Sequence, residues 1–358
     1  MTESPLAERA LIEQLLDSLR ELPDVHAELD LSEPAMQAAG RLDAKIDLHV
    51  AGKSIVLLVE TKKSVYPRDV RQALWQLKSQ HGRYADVQHL LIAESLSPGA
   101  KELLRTERIG YFDSGGSLFL PASGVYVYID KPAPKTLEKS IRSLFSGRRA
   151  QVLHALLVNH EEWFGVTEVA EQAQVAPSTA SDVLGELERF DWLVSRGQGP
   201  SKERHLREPG ALLDAWAKQL TAQRAPVLRR YFVPGLKSDA LIERLGQMFD
   251  AHQVAYAVSY EAAAQRYAPF LSGISQVRIR LLPSTGAEMA MAELDARVVN
   301  EGTNLAVIET KSAGELLFRQ NVGGVWLASP VQVYLDLLRG EGRSKEMAEH
   351  LRKERIGF

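Results

Sequence analysis

The sequence predicts a multidomain α/β protein, and four stretches carry that reading. Residues 44–50 and 55–61 look like two strands joined near Gly52, followed by a helix with Gln72 and Gln76 one turn apart. Lys131-Pro-Ala-Pro-Lys135 is a linker signature. Beyond it come a helix, a short helix, a turn, a longer helix and a strand. From about Gly210 helices and strands alternate again. With 358 residues the chain has room for two or three domains. The expected divisions are 1–134, 135–209 and 210–358.

Bulk composition narrows the classes. Hydrophobic residues make up 45% of the chain, enough for ordinary packed cores. The formal net charge is -3, so any nucleic-acid surface must be a local patch. There is no cysteine, which excludes disulfides, zinc ribbons and thiol chemistry and fits a reducing compartment. Met1 to Leu19 is acidic and amphipathic, unlike a basic-apolar signal sequence. No apolar run reaches membrane-spanning length. The expectation is a cytoplasmic protein without a membrane partner.

In the first part, Leu6 to Leu22 spaces its apolar residues as a helix does, and Pro23 ends it. Glu13 on this helix has two readings, an acid near a metal or part of a solvated face. Residues 55–59 are a short apolar run, as expected for a strand buried on both faces. Glu60 and Lys62 close that strand and point to one side, because strand side chains alternate. Asp47 on the neighbouring strand, thirteen residues before Glu60, is the candidate third member. Asp47 and Glu60 are hard oxygen donors of the kind that hold Mg²⁺. Lys62 would orient an attacking water or stabilise negative charge at phosphorus. Gly115-Gly116 is either a hairpin turn or a phosphate cradle.

This order of strand, strand and glutamine-bearing helix resembles the core of the PD-(D/E)XK nucleases. The resemblance implies a restriction-endonuclease-like fold, with Asp47, Glu60, Lys62 and Gln76 as candidate catalytic residues. Asp47 and Glu60 would be the Mg²⁺ ligands. Asp47 follows Ile46 where the family has proline. Whether cleavage is retained stays open.

After the linker, Lys139, Arg142, Arg148 and Arg149 form a basic stretch, read equally as solvated linker or phosphate-contacting flank. Residues 149–209 follow the winged helix-turn-helix order. Thr167 begins a short helix, Val175-Ala-Pro177 turns, and Pro177–Phe190 forms the second helix. Ala180, Val183, Leu184 and Leu187 would be buried. Ser178, Thr179 and Ser181 at its start would approach base edges and phosphates. Asp182 beside them is unfavourable next to DNA. Arg196, Lys202, Arg204 and Arg207 lie on the expected wing, where basic residues grip phosphate. The partner would be double-stranded DNA; a protein-contacting winged helix is the alternative.

In the last part, Ser238–His252 and Tyr260–Ala268 read as helices. Val254–Ser259, Val277–Leu282, Glu288–Leu294 and Leu305–Ile308 read as strands. Ser329-Pro330 opens a pair of helices. The segments YAVSYEAAAQRYAP and ASPVQVYLDLLRGEGRSKEMAEHLR, with the winged helix, resemble the type IV toxin–antitoxin antitoxins of the AbiEi family. The resemblance covers about Arg149 to Phe358. It implies a DNA-binding regulator that represses its own operon and opposes a nucleotidyltransferase-like toxin. This chain departs from simpler members by placing a nuclease-like domain before the winged helix.

The last part also has the order of a nucleotidyltransferase-like α+β fold. Neither Ser259-Tyr260 nor Val277–Leu282 supplies the Gly-Ser turn or paired aspartates of an active enzyme. Asp295 with Glu309-Thr310-Lys311 repeats the first triad loosely. The turn-like Ser312–Glu315 lacks the glutamine-bearing helix, which favours chance similarity over a second metal site. Three functions therefore stand: a regulator, a Mg²⁺-dependent endonuclease targeted by its winged helix, and a protein-interaction scaffold.

Overall fold

The computed structural model describes residues 5–30, 43–50, 52–80, 87–122, 124–132 and 134–358. The chain is a mixed α/β protein that divides into two compact units. One comprises Met1–Arg142 and Glu186–Asp191, the other Ser143–Gly185 and Trp192–Phe358. No helix among the described residues is long and apolar enough to cross a membrane.

The first unit is built on a seven-stranded sheet whose strands lie in sequence order. They are β1 (Val25–Asp30), β2 (Ala44–Val50), β3 (Lys53–Val65), β4 (Val87–Leu96), β5 (Gly110–Asp113), β6 (Leu118–Ala122) and β7 (Val125–Ile129). The β3–β4–β5 pairings are parallel and the others antiparallel. Alternation along β3 buries Ile55, Leu57 and Val59 on one face, where α1 (Pro5–Arg20) brings Leu11, Leu15 and Leu19. The other face carries α2 (Pro67–Gln80) and α3 (Pro98–Thr106), with Val70, Leu91, Ala93, Ala100 and Leu104 in its core. Helices on both faces explain why an apolar run is suited to the sheet centre. Gly116, at φ +85°, makes the β5–β6 connection a hairpin turn. Lys101 fixes that turn to α3, its Nζ lying 2.7 Å from both Asp113 Oδ2 and Ser117 Oγ. β1 is a strand that the sequence pattern does not announce.

The basic stretch after the linker is helical, forming α4 (Lys135–Leu144) and the start of α5 (Gly147–Val158). Next come β8 (Trp163–Phe164), α6 (Val166–Gln172), α7 (Pro177–Arg189), β9 (Leu193–Arg196) and β10 (Glu203–Leu206). β10 lies between β8 and β9 in a three-stranded antiparallel sheet. α8 (Pro209–Thr221) leads to the second large sheet.

That sheet has seven strands: β11 (Arg229–Phe232), β12 (Tyr256–Ser259), β13 (Val277–Leu281), β14 (Arg297–Val298), β15 (Leu305–Glu309), β16 (Gln320–Val322) and β17 (Val325–Leu327). Their order is β14-β11-β15-β13-β12-β17-β16. Four helices connect or follow these strands: α9 (Ser238–Ala251), α10 (Tyr260–Tyr267), α11 (Thr285–Glu293) and α12 (Pro330–Leu337). α13 (Ser344–Leu351) ends in a π turn, Arg352–Ile356. Residues 288–294, expected as a strand, fall almost entirely in α11. Ser284 caps that helix, its hydroxyl accepting from the Ala287 N–H at 3.1 Å. The Ala, Met and Glu that follow are strong helix formers, which outweighs the apparent alternation.

Candidate functional site

The first site is built by the β2–β3 hairpin. Val50 pairs with Lys53 and Ala44 with Val59, so the next step places Asp43 across from Glu60. The Asp43 N–H donates to the Val59 carbonyl at 3.0 Å. Its Oδ2 accepts from the backbone N–H and the hydroxyl of Thr61, each at 2.7 Å. On β3 the Glu60 carboxylate meets Lys62 Nζ at 2.6 Å. Both project on the face shared with Leu91 and Ala93 of β4.

Asp47 is not part of this group, and the register is the reason. It pairs with Val56, four residues back along β3 from Glu60, or about 13 Å at strand spacing. Its ionic neighbour is Lys45, whose Nζ is 3.7 Å from Asp47 and 2.6 Å from Asp30. The hydrogen bond to Asp30 is the main influence raising the Lys45 ammonium pKa. Glu13 is exposed and pairs with Arg9 at 3.2 Å. Its helix covers the sheet face opposite Glu60, so it does not supply an acid there. The side chain of Gln76 lies outside the described residues. Gln72 is exposed.

Asp43 and Glu60 are neighbours in the extended hairpin register, but the Asp43 carboxylate is engaged by Thr61, whose side chain alternates onto the opposite face, and the Glu60 carboxylate by Lys62. Mg²⁺ commonly uses one or two protein carboxylates and completes its shell with water and substrate phosphate, so Glu60 fits it. Among the described residues no group of three or more His, Cys, Asp or Glu is arranged to hold a metal. Lys62 already neutralises one Glu60 oxygen and would orient a nucleophile or a phosphate oxygen beside it.

The second site lies on α6, α7 and the β9–β10 hairpin. Gln174, at φ +51°, turns the chain between the two helices. Ala180, Val183, Leu184 and Leu187 are buried, as the spacing predicts. Ser178, Ser181 and Asp182 are exposed, and Thr179 is half-buried. On the hairpin Arg196 stacks over the Trp163 ring at 4.2 Å and meets Glu203 at 2.7 Å. Arg207 is exposed, with Glu208 at 3.7 Å, and Lys202 is half-buried. Arg204 departs from expectation: it is 8% exposed. It sits on the central strand β10, between Phe164 and Ser195, and faces inward rather than toward a ligand. Arg148 is exposed and Arg149 half-buried at the start of α5.

The third cluster is buried in the second large sheet. Arg280 on β13 donates from Nε to Asp336 Oδ2 at 2.8 Å and from Nη2 to Oδ1 of the same carboxylate. Asp336 also accepts from the Ser259 hydroxyl and from Gln332 Nε2 at 3.0 Å. Burial opposes the charge on Arg280, but Asp336 outweighs it and the guanidinium pKa rises. Arg278 stacks over Tyr260 at 4.6 Å and pairs with Glu261 at 3.5 Å. Tyr260 is held at φ +54°, and burial pushes its hydroxyl up to about 12. β13 thus carries two arginines, Arg278 and Arg280, and no aspartate. The lookalike Asp295 and Glu309 are not assembled. Asp295 binds Arg297 on two oxygens near β14, whereas Glu309 ends β15, two strands away, and pairs with Arg229 at 3.0 Å.

No family model, curated protein or solved structure significantly matches the chain. Asp43 is the acid beside Glu60 in the register that sequence reasoning missed. A hairpin closed at Val50 and Lys53 has only one register, and it puts residue 43 opposite residue 60.

Proposed function

We propose that this protein is a sequence-specific double-stranded-DNA-binding regulator of the type IV antitoxin kind. The observation carrying the reading is the start of α7, where Ser178 and Ser181 stay exposed while Ala180, Val183 and Leu184 anchor the helix. With α5, α6 and the β9–β10 hairpin, this supports the winged helix-turn-helix reading. In that arrangement the second helix enters the major groove by its first residues. Arg196, Lys202, Arg207 and Arg148 supply phosphate contacts that position the protein. Arg204 drops out of that set. The all-α/β remainder fits the antitoxin resemblance, with a nucleotidyltransferase-like toxin as the functional opponent and the operon's own promoter as the DNA site.

The test is a mobility shift on the region upstream of the chain's own operon across a salt series. A specific, strongly salt-dependent complex is expected, and Arg207→Ala should lower the salt slope by about 1. Ser178→Ala with Ser181→Ala should relax specificity more than it weakens non-specific binding. The absence of any complex at low salt sinks the reading.

A second reading, a Mg²⁺-dependent endonuclease, is supported by one observation: Glu60 and Lys62 meet at 2.6 Å on one sheet face, with Asp43 next to Glu60 in the extended β2–β3 register. Mg²⁺ held by Glu60 would supply Lewis-acid stabilisation of a phosphodiester. Plasmid nicking should then vanish in Asp43→Asn, Glu60→Ala and Lys62→Ala and survive in Asp47→Asn. Nicking that persists in all four variants rules this site out.

A further inference from the structure

A groove of about 620 Å³ opens where the end of α8 meets α12 and α13. That volume lies within the usual range for a small-molecule site. Three cations line it: Lys218 from α8, Arg339 just after α12, and Lys345 in the first turn of α13. No carboxylate is among the lining residues. Lys218 and Lys345 are exposed, and neither makes an ion pair among the described residues.

Arg339 is arranged differently. Its Nε donates to the Leu220 carbonyl at 3.1 Å, and its Nη2 binds the same oxygen. This neutralises one carbonyl at the end of α8 and leaves Nη1 for another acceptor. The first turn of α13 adds partial positive charge from backbone N–H groups beside Lys345. The rest of the lining is an apolar wall of Ala217, Ala225 and Leu338 with the ring of Tyr334, and the polar side chains of Thr221 and Gln223.

We propose that this groove binds a phosphorylated small molecule of mononucleotide size. Lys218, Arg339 and Lys345 take the phosphate oxygens, and the Ala217–Leu338 wall takes the carbon skeleton. This site is separate from α7, from the hairpin and from the Asp43–Glu60 group.

Isothermal titration of the full chain at low salt tests it, with ATP, tripolyphosphate and adenosine as probes. Saturable binding of one ATP per chain is expected, with tripolyphosphate weaker and adenosine weakest. Lys218→Glu with Lys345→Glu should weaken ATP at least tenfold at an unchanged melting temperature. Lys218→Gln with Lys345→Gln should weaken it in the same direction. Lys311→Glu, the same charge change on an exposed lysine outside the groove, should leave it unaltered. No saturable binding of either phosphate-bearing probe overturns the proposal. So does ATP affinity untouched by the double variants, or adenosine binding as tightly as ATP. Tripolyphosphate matching ATP overturns the contact with the carbon skeleton. Loss of DNA retention in the double variant with ATP binding intact reassigns these cations to nucleic acid and also overturns it.

Discussion

At Glu60-Thr61-Lys62 the carboxylate and the ammonium meet, 2.6 Å apart, on the sheet face that carries α2 and α3. At Glu309-Thr310-Lys311 the same three residues part company. Glu309 turns to Arg229, and the Lys311 N–H donates to Glu315 at 2.9 Å. Both threonines are buried, Thr61 at 5% and Thr310 at 4% exposure, but their partners differ. Thr61 is held by the carboxylate of Asp43, Thr310 by the carbonyl of Leu281. The neighbouring strand therefore decides what the tripeptide becomes. Asp43, immediately before β2, brings an acid to the first copy. β13 brings Arg280 beside the second, already committed to Asp336. One copy is gripped at its threonine by an acid, the other borders a structural ion pair.

The largest effect is expected at Asp336, in the structural ion pair. Removing one partner of a buried pair leaves the other charge without compensation, which costs about 3–5 kcal/mol. Asp336→Ala should therefore lower stability by that amount in urea unfolding followed by circular dichroism. Arg280→Met combined with Asp336→Leu should recover much of the loss. If Asp336→Ala alone is nearly neutral, the second region is not the structural one.

Asp43 offers the next effect. Asp43→Ala removes a charged acceptor from two donors of buried Thr61, so about 1.5–3 kcal/mol of destabilisation is expected. Asp47→Ala should change stability by under about 1 kcal/mol, as its ion pair is long and partly exposed. Equal effects from the two would mean that the hairpin register, and with it the first site, is misplaced.

His154 gives a pH test confined to the second unit. Burial, aided by Arg280, lowers its pKa from 6.5 to about 3. The folded value lies below the unfolded one. Its contribution is thus complete above pH 6.5 and lost as the pH falls toward 3. Between pH 7 and pH 5 about 2 kcal/mol of stability should disappear. His154→Gln should flatten that dependence in urea midpoints measured at the two pH values. An unchanged slope means that the ring is reached by solvent.

Much of this fold was legible in the sequence, and the misses share a cause. The β3 run, the anchoring residues of α7 and the Ser329 cap are local patterns, and local patterns survive in one dimension. The Ser329 hydroxyl does accept from the Gln332 N–H, as its place before Pro330 implies. What failed was pairing. Spacing alone does not choose between Asp43 and Asp47 as the acid beside Glu60; the closing pair of the hairpin does. Arg204 reads as a wing cation because only the three-stranded pairing shows that β10 is central. The Ser259–Asp336–Arg280 cluster joins residues from β12, β13 and α12, with no signal in spacing.

The smallest expected effect sharpens the comparison most narrowly. Glu309→Gln removes a charge whose partner Arg229 is 61% exposed, in an ion pair on the sheet surface. Pairs of this kind are worth about 0–1 kcal/mol. Thr310 keeps its bond to Leu281, and the Arg280–Asp336 pair is untouched, so nothing buried loses a partner. A change above about 1 kcal/mol would tie Glu309 to the buried arginine through Arg229 or Glu315. The second tripeptide would then act as part of that network rather than as its exposed border.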